Sequence, residues 1–506
     1  MRKLLFNSIL ALATALATLP ALAQPATGNL RIGLAEDPDL LDPTLGSSFV
    51  GRIVYAAMCD KLFDLDEKLN IVPQLAASYR YESPTSLIIT LRPGVVFHDG
   101  EKLDAEAAKY KLTRDLNMKG SMRAGEINAI QTIDVIDPLT IRLTLKQPAS
   151  QMLAQLTDRA GIMISPKAAE AAGDKFGLNP VCAGAYAFDS RVAQDRIVLK
   201  RFPGHWNAGN YHFERVTYLP SPNSSVRLAN LQAGGLDMAF VAPHDVAAVR
   251  KDPKLNLEVW DALGYTGINF NIANGPAANT LIGQNALVRQ AFELAIDRKA
   301  LIEVVFAGMF TPTAQANPPS SPFFVAEVQP PARDIAKARA LLAQAGVSGR
   351  VPVELTVTNA PEMQQAAEVI QSMVAEAGFD LKVKVMEFAS SLQAGYKGEF
   401  QAYMIGWSGR SDADGNMWPQ MNSKGTFNYG RHLNAEMDKL LDDARVATAV
   451  ADRRAIYAKV WEIQRRDMPL IYLYSGKNII GTQKTVHGLS KVPDGLLRLG
   501  GTRFWQ

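Results

Sequence analysis

Strict alternation of apolar and polar positions stands out at Leu87, Ile89 and Leu91, at Ile141, Leu143 and Leu145, and again at Val351, Val353, Leu355 and Val357. A period of two puts these side chains on one face of an extended segment, so each run predicts a strand. Strand signals dominate residues 79–203, interrupted by one helical stretch at 105–116 behind a capping Asp104 and closed by a strand at 196–201. A helix at 224–233, stopped by Gly234 and Gly235, and a buried strand at 236–241 follow.

Past residue 265 the pattern shifts to longer helices alternating with strands, with helices predicted at 287–307 before Gly308 and at 334–345 before Gly346. The run 351–358, a helix at 362–377 ending at Gly378, and the alternation of Leu381, Val383 and Val385 with Lys382 and Lys384 form a strand–helix–strand unit. Such a crossover makes the two strands parallel and the connection right-handed. Helices at 435–448 and 451–466 and an apolar strand at 470–474 complete this half. The short remainder must return to pack on the first half, so the chain crosses between lobes twice, near 264–269 and near 474–481. Two crossings make a hinge, and a hinged two-lobed α/β protein holds its ligand in the interlobe cleft.

Composition narrows the classes. The 506 residues carry 53 Lys plus Arg against 50 Asp plus Glu, with 47% hydrophobic residues, which is globular and long enough for about three lobes. No basic stripe interleaved with aromatics is present, which argues against nucleic acid as a partner. Arg2 and Lys3, an apolar run at 4–19 and Ala21-Leu22-Ala23 read as a secretory signal cleaved before Gln24. Removing residues 1–23 leaves 51 cations against 50 anions, and Gln24 in place of a cysteine offers no lipid attachment point. Later stretches fall short of the ~20 apolar residues a membrane helix needs, so a freely diffusing, periplasmic, monomeric protein is expected. Its two cysteines, Cys59 and Cys182, allow one intramolecular disulfide in an oxidising compartment, the alternative being two buried free thiols.

Eight segments in order resemble the family 5 extracellular solute-binding proteins of ABC importers for dipeptides, oligopeptides, opines and nickel chelates. They are LDP at 41–43, CDKLFDLDEKLNIVPQLAASY at 59–79, LRPGVVFHDG at 91–100, NPVCAGAY at 179–186, DRIVLKRFPGHW at 195–206, LQAGGLDMA at 231–239, VRQAFELAIDRKAL at 288–301 and the Gly406-Trp407 pair before an Asp-rich turn. The resemblance implies the large type II periplasmic binding fold. Lobe I would span 24–264 plus 481–506 with a β-rich insertion at about 45–180, and lobe II 265–480. It also implies a substrate receptor that delivers small peptides or peptide-like, opine-like solutes to permease subunits in the inner membrane. A metal-chelate or haem receptor of the same family is the alternative. Cys182 stands where the family's NPVG-type segment has glycine, so a Cys59–Cys182 bond would be a local variation.

In peptide-binding members the turn after Gly-Trp supplies an aspartate for the ligand's ammonium, and the aligned residue here is Arg410. A guanidinium is a fixed cation suited to carboxylates, so Arg410 is expected to engage a ligand carboxylate, with Asp412 or Asp414 available for a cationic group. The plainer reading pairs Arg410 with Asp412 on a solvated loop, where it is worth little. Trp407 serves either as a cleft wall or as core, Trp418 fits core better, and Arg52 faces either the cleft or a surface ion pair. Tyr186 and Phe188 are weaker candidates.

None of the six histidines forms an H-x-x-x-H pair, so no protein-built metal site is expected, His432 being a weak candidate axial ligand to a nickel chelate. The Asp412–Asn416 stretch fails as a calcium loop, because glycine comes too early and the twelfth position is Ser423. Gly406-Trp407-Ser408-Gly409-Arg410 misses the G-x-S-x-G elbow at its last position, and no phosphate-binding glycine loop follows a strand. Neither an enzyme nor a resident cofactor is expected.

Overall fold

The structure is a computed structural model and describes residues 28–505. The expected signal segment and its Gln24 boundary lie outside the described residues. Among those residues, no helix is long and apolar enough to cross a membrane.

Two sheets organise the chain. The first has seven strands in the order Leu255–Asp261, Lys477–Gln483, Met238–Phe240, Asn29–Leu34, Arg215–Pro220, Arg196–Arg201 and Tyr186–Val192. Asn29–Leu34 runs parallel to both neighbours and is buried at Leu30 and from Ile32 to Leu34, as expected when both faces are covered. The second sheet has six strands in the order Thr311–Pro312, Leu470–Ser475, Tyr265–Phe270, Ala402–Trp407, Val351–Thr358 and Phe379–Met386. Val351–Thr358 and Phe379–Met386 are parallel across the helix Pro361–Ala375. Ala366, Ala367, Ile370 and Val374 on that helix are buried against the sheet.

A third, four-stranded antiparallel sheet lies within the first half, in the order Ala76–Ser83, Ser86–Leu91, Thr140–Leu145 and Ile130–Asp137. Helix Ala105–Asn117 covers it, opened by Asp104, whose carboxylate accepts from the Ala107 amide at 3.0 Å. Arg114 on that helix donates two bonds to Asp42, at 2.9 and 2.7 Å, which ties this β-rich unit to the loop after the first strand. A disulfide joins Cys59 to Cys182 within the core of the first sheet, with their Cα atoms 5.0 Å apart.

The backbone passes between the two large sheets at residues 262–264 and at Gly476. The return thus precedes the expected limit at 480, because Lys477–Gln483 already pairs with Leu255–Asp261 of the first sheet. The single helix predicted at 287–307 is two helices, Ala286–Leu294 and Arg298–Phe306. Asp297 causes the break, since its side chain accepts from the Ala300 amide at 3.0 Å and starts a new helix.

Candidate functional site

In open α/β sheets, ligands sit beyond the carboxyl ends of parallel strands. Here those ends face each other. Asn29–Leu34 leads into a loop bearing Glu36 and Asp39, while Val351–Thr358 ends at Thr358 and Ala402–Trp407 ends at Trp407. Between them lies a cavity of about 340 Å³ with Glu36, Ser47, Ser48 and Phe49 on the first side and Thr358, Trp407, Phe427 and Tyr429 on the second.

Local hydrogen bonding fixes the first wall. Asp39 accepts from the Ser47 amide and hydroxyl at 2.7 and 2.6 Å and from the Ser48 hydroxyl at 2.6 Å. Burial alone would raise the Asp39 carboxyl, but these serine donors outweigh it and hold it below its ordinary value. Ser48 in turn caps helix Phe49–Met58 by accepting from the Gly51 amide at 3.2 Å. Burial pushes Glu36 up to about 8, with Arg227 opposing and Glu387 and Asp39 reinforcing.

The second wall is aromatic. Trp407 meets Phe427 edge-on at 4.9 Å, Tyr429 lies 5.4 Å from Tyr396, and the Trp407 indole donates to Asn416 Oδ1 at 3.1 Å. Asn416 also accepts from the Arg410 amide at 2.7 Å, so one side chain orients the indole and the turn behind it.

Behind this wall a buried ion network joins the two halves. Asp158 receives Arg52 Nη2 at 2.7 Å from its own half and Arg410 Nε at 2.8 Å from the other. Burial would raise Asp158, yet Arg410, Arg52, Arg159 and Arg123 hold it well below the usual carboxylate range. Arg52 also donates to Ser408 Oγ at 3.0 Å, a second bond across the gap. Arg410 Nη1 donates to the Gly409 carbonyl at 2.7 Å, its Nη2 has no hydrogen-bond partner among the described residues, and its guanidinium lies 4.6 Å from the Trp407 ring. Burial, then the neighbouring Arg52 charge, lower its pKa against the pull of Asp158.

Of the residues singled out from sequence, Trp407 lines the cavity and the rest are placed elsewhere. Arg410 and Arg52 form the network behind the wall, with Asp158 as the anion for both. Asp412 and Asp414 lie outside the cavity lining, each in an ion pair. Arg453 holds Asp412 at 2.7 and 2.6 Å, and Arg445 holds Asp414 at 2.7 and 3.0 Å. Trp418 is buried, stacked 3.9 Å from Arg445 and donating to Asp442 at 2.8 Å. Tyr186 packs in the first core against Tyr211, and half-buried Phe188 packs on the same core.

His432 lies outside the cavity lining, 3.0 Å from Asp467, and burial lowers its pKa. Among the described residues no three His, Cys, Asp or Glu come together in a metal-holding group. Sequence reasoning missed Glu36, Thr358, Phe427 and Tyr429. For Glu36 and Thr358 a signal existed, since each stands at or just beyond the carboxyl end of a parallel strand.

The model of the bacterial extracellular solute-binding proteins, family 5, matches residues 70–428. The glutathione-binding protein GsiB of Salmonella paratyphi A is 29% identical over 500 residues, covering 96% of each chain. The solved structure of AgaA from A. tumefaciens R10 in complex with agropinic acid superposes with a TM-score of 0.86 at 25% identity, covering 95% of this chain and 99% of that one. The Escherichia coli murein tripeptide binding protein MppA has a TM-score of 0.87 at 21% identity, covering 96% of this chain and 99% of its own, and shows the shared fold. With the family's model matching well over half of its length and its two-lobed fold repeated in these structures, this chain belongs to the bacterial extracellular solute-binding proteins, family 5.

Proposed function

We propose that this protein is the periplasmic receptor of an ABC importer, capturing a small, amphoteric, peptide-like or opine-like solute and handing it unaltered to a membrane permease. The observation that carries this is the cavity of about 340 Å³ enclosed jointly by the strand ends of two sheets that share two backbone crossings. That volume lies at the lower end of small-molecule sites, roughly 300–1,000 Å³, which favours a solute of a few residues' size over a long peptide. Relatives named for glutathione and for agropinic acid support the same size class.

Contacts made to both halves at once favour the closed arrangement, because a solute shifts an equilibrium only by its differential affinity. Trp407 provides apolar wall to the solute. Arg410, paired with Asp158 across the gap, holds the closed form and does not take the solute's carboxylate. Mass spectrometry of co-purified solute, followed by calorimetry over small peptides, glutathione, opines and chelates, tests the reading. Stoichiometric binding with the solute recovered intact is expected. Turnover of the bound compound, or no binding across the panel, refutes it.

A further inference from the structure

Three charged side chains reach the cavity wall, Glu36, Lys477 and Asp494. Two are balanced by protein partners. Lys477 Nζ lies 2.5 Å from Asp261, and Arg498 donates to both oxygens of Asp494 at 2.9 and 2.8 Å. Glu36 has no hydrogen-bond or ion-pair partner among the described residues, and the cation acting on it, Arg227, acts only through space. Arg227 itself is turned toward backbone, donating to the Phe240 carbonyl at 2.7 Å and to the Ser221 carbonyl. The wall is thus left with one uncompensated acid.

An independent observation comes from the facing half. Thr358, 3% exposed, lines the same cavity with its hydroxyl oxygen lacking any hydrogen-bond partner. Most buried polar groups are satisfied, so an unpaired hydroxyl on a residue lining the cavity is free to bond a ligand atom. Once ionised, the Glu36 carboxylate accepts hydrogen bonds, as does the Thr358 hydroxyl oxygen, and a cationic nitrogen supplies donors to both. The surrounding Trp407, Phe427 and Tyr429 rings offer π faces, which also favour a cation.

We infer that Glu36 from one half and Thr358 from the other hold the cationic nitrogen of the solute. This rests on the receptor reading above and deepens it by naming which end of an amphoteric solute goes where. Because the two anchors belong to opposite halves, the nitrogen itself links solute capture to closure.

The test compares glutathione and alanyl-glutamate with their N-acetyl derivatives by calorimetry and competition native mass spectrometry. The wild type is expected to prefer the free amine of the probe it binds by about 30-fold, the range of a charge-assisted hydrogen bond. Glu36→Gln should abolish that preference and Glu36→Asp should keep part of it, with unfolding temperatures of the probe-free variants no lower than the wild type's as the folding control. Thr358→Val should lower the preference severalfold. A wild type that does not discriminate, or a Glu36→Gln variant that discriminates as well as the wild type, overturns the inference while leaving the receptor reading intact. Failure of the wild type to bind either probe pair or any panel solute sinks both.

Discussion

Replacing Asp158 by Asn keeps its shape and removes the one negative charge that Arg52 and Arg410 share. The carboxylate is 5% exposed, 2.7 Å from Arg52 and 2.8 Å from Arg410. Removing one partner of a buried pair costs about 3–5 kcal/mol, because the remaining charges stay buried and uncompensated. Arg52 and Asp158 lie on the same half, so their share of the loss lowers stability whether the lobes are open or closed. Arg410 lies on the other half and is rehydrated when they part, so its share falls on the closed form alone. Assigning about 2–3 kcal/mol to that pair predicts a loss of about 30- to 150-fold in affinity for whichever solute binds. Asp158 also sets a sign for acid. Its folded pKa lies well below the unfolded value near 4, so its stabilisation is complete above about pH 4 and is lost as pH falls through the depressed value. Calorimetry gives the affinity and small-angle scattering gives compaction on adding solute. A variant within threefold of wild type that compacts equally would refute the assignment of this network to closure.

Two further outcomes follow from other parts of the molecule. The Cys59–Cys182 bond spans a sequence separation of 123, for which chain entropy gives about 5 kcal/mol, so Cys59→Ser with Cys182→Ser should lower urea stability by up to that amount and make it insensitive to reductant. Glu36, pushed up to about 8 by burial with Glu387 and Asp39 adding to and Arg227 opposing the shift, stays protonated at neutral pH in the free protein. Affinity for a cationic solute should therefore rise from pH 6 towards pH 8, with proton release visible as buffer-dependent calorimetric heat. Solute-free stability should fall over the range in which only the unfolded chain ionises this group. A flat affinity profile would contradict it.

The elements that alternation marked are the ones the structure forms most regularly. Val351–Thr358 and Phe379–Met386 with their crossover helix were legible because one periodic face meets one core. The break at Asp297 was not, since an aspartate inside an apolar helical pattern reads as surface until its side chain is seen capping the next helix. For the site, the turn singled out Trp407 without deciding between cleft wall and core. The fate of Arg410, Asp412 and Asp414 was not legible, because Asp158, Arg453 and Arg445 reach them from distant segments and no local pattern names a long-range partner. Glu36 was missed for the opposite reason. Its importance lies in having no partner, a property that only the assembled cavity reveals.

The crossing at 262–264 is pressed against the turn that follows Trp407. A methyl group on Gly264 would fall 2.1 Å from the Trp407 carbonyl oxygen, and one on Gly409 would fall 2.3 Å from the Leu263 carbonyl carbon. Pivot and turn are therefore packed backbone to backbone, and a swing of the halves shifts that indole relative to Phe49 and Ser48 on the opposite wall. The molecule thus carries its own optical gauge, a change in intrinsic emission to which this ring, one of six tryptophans, contributes.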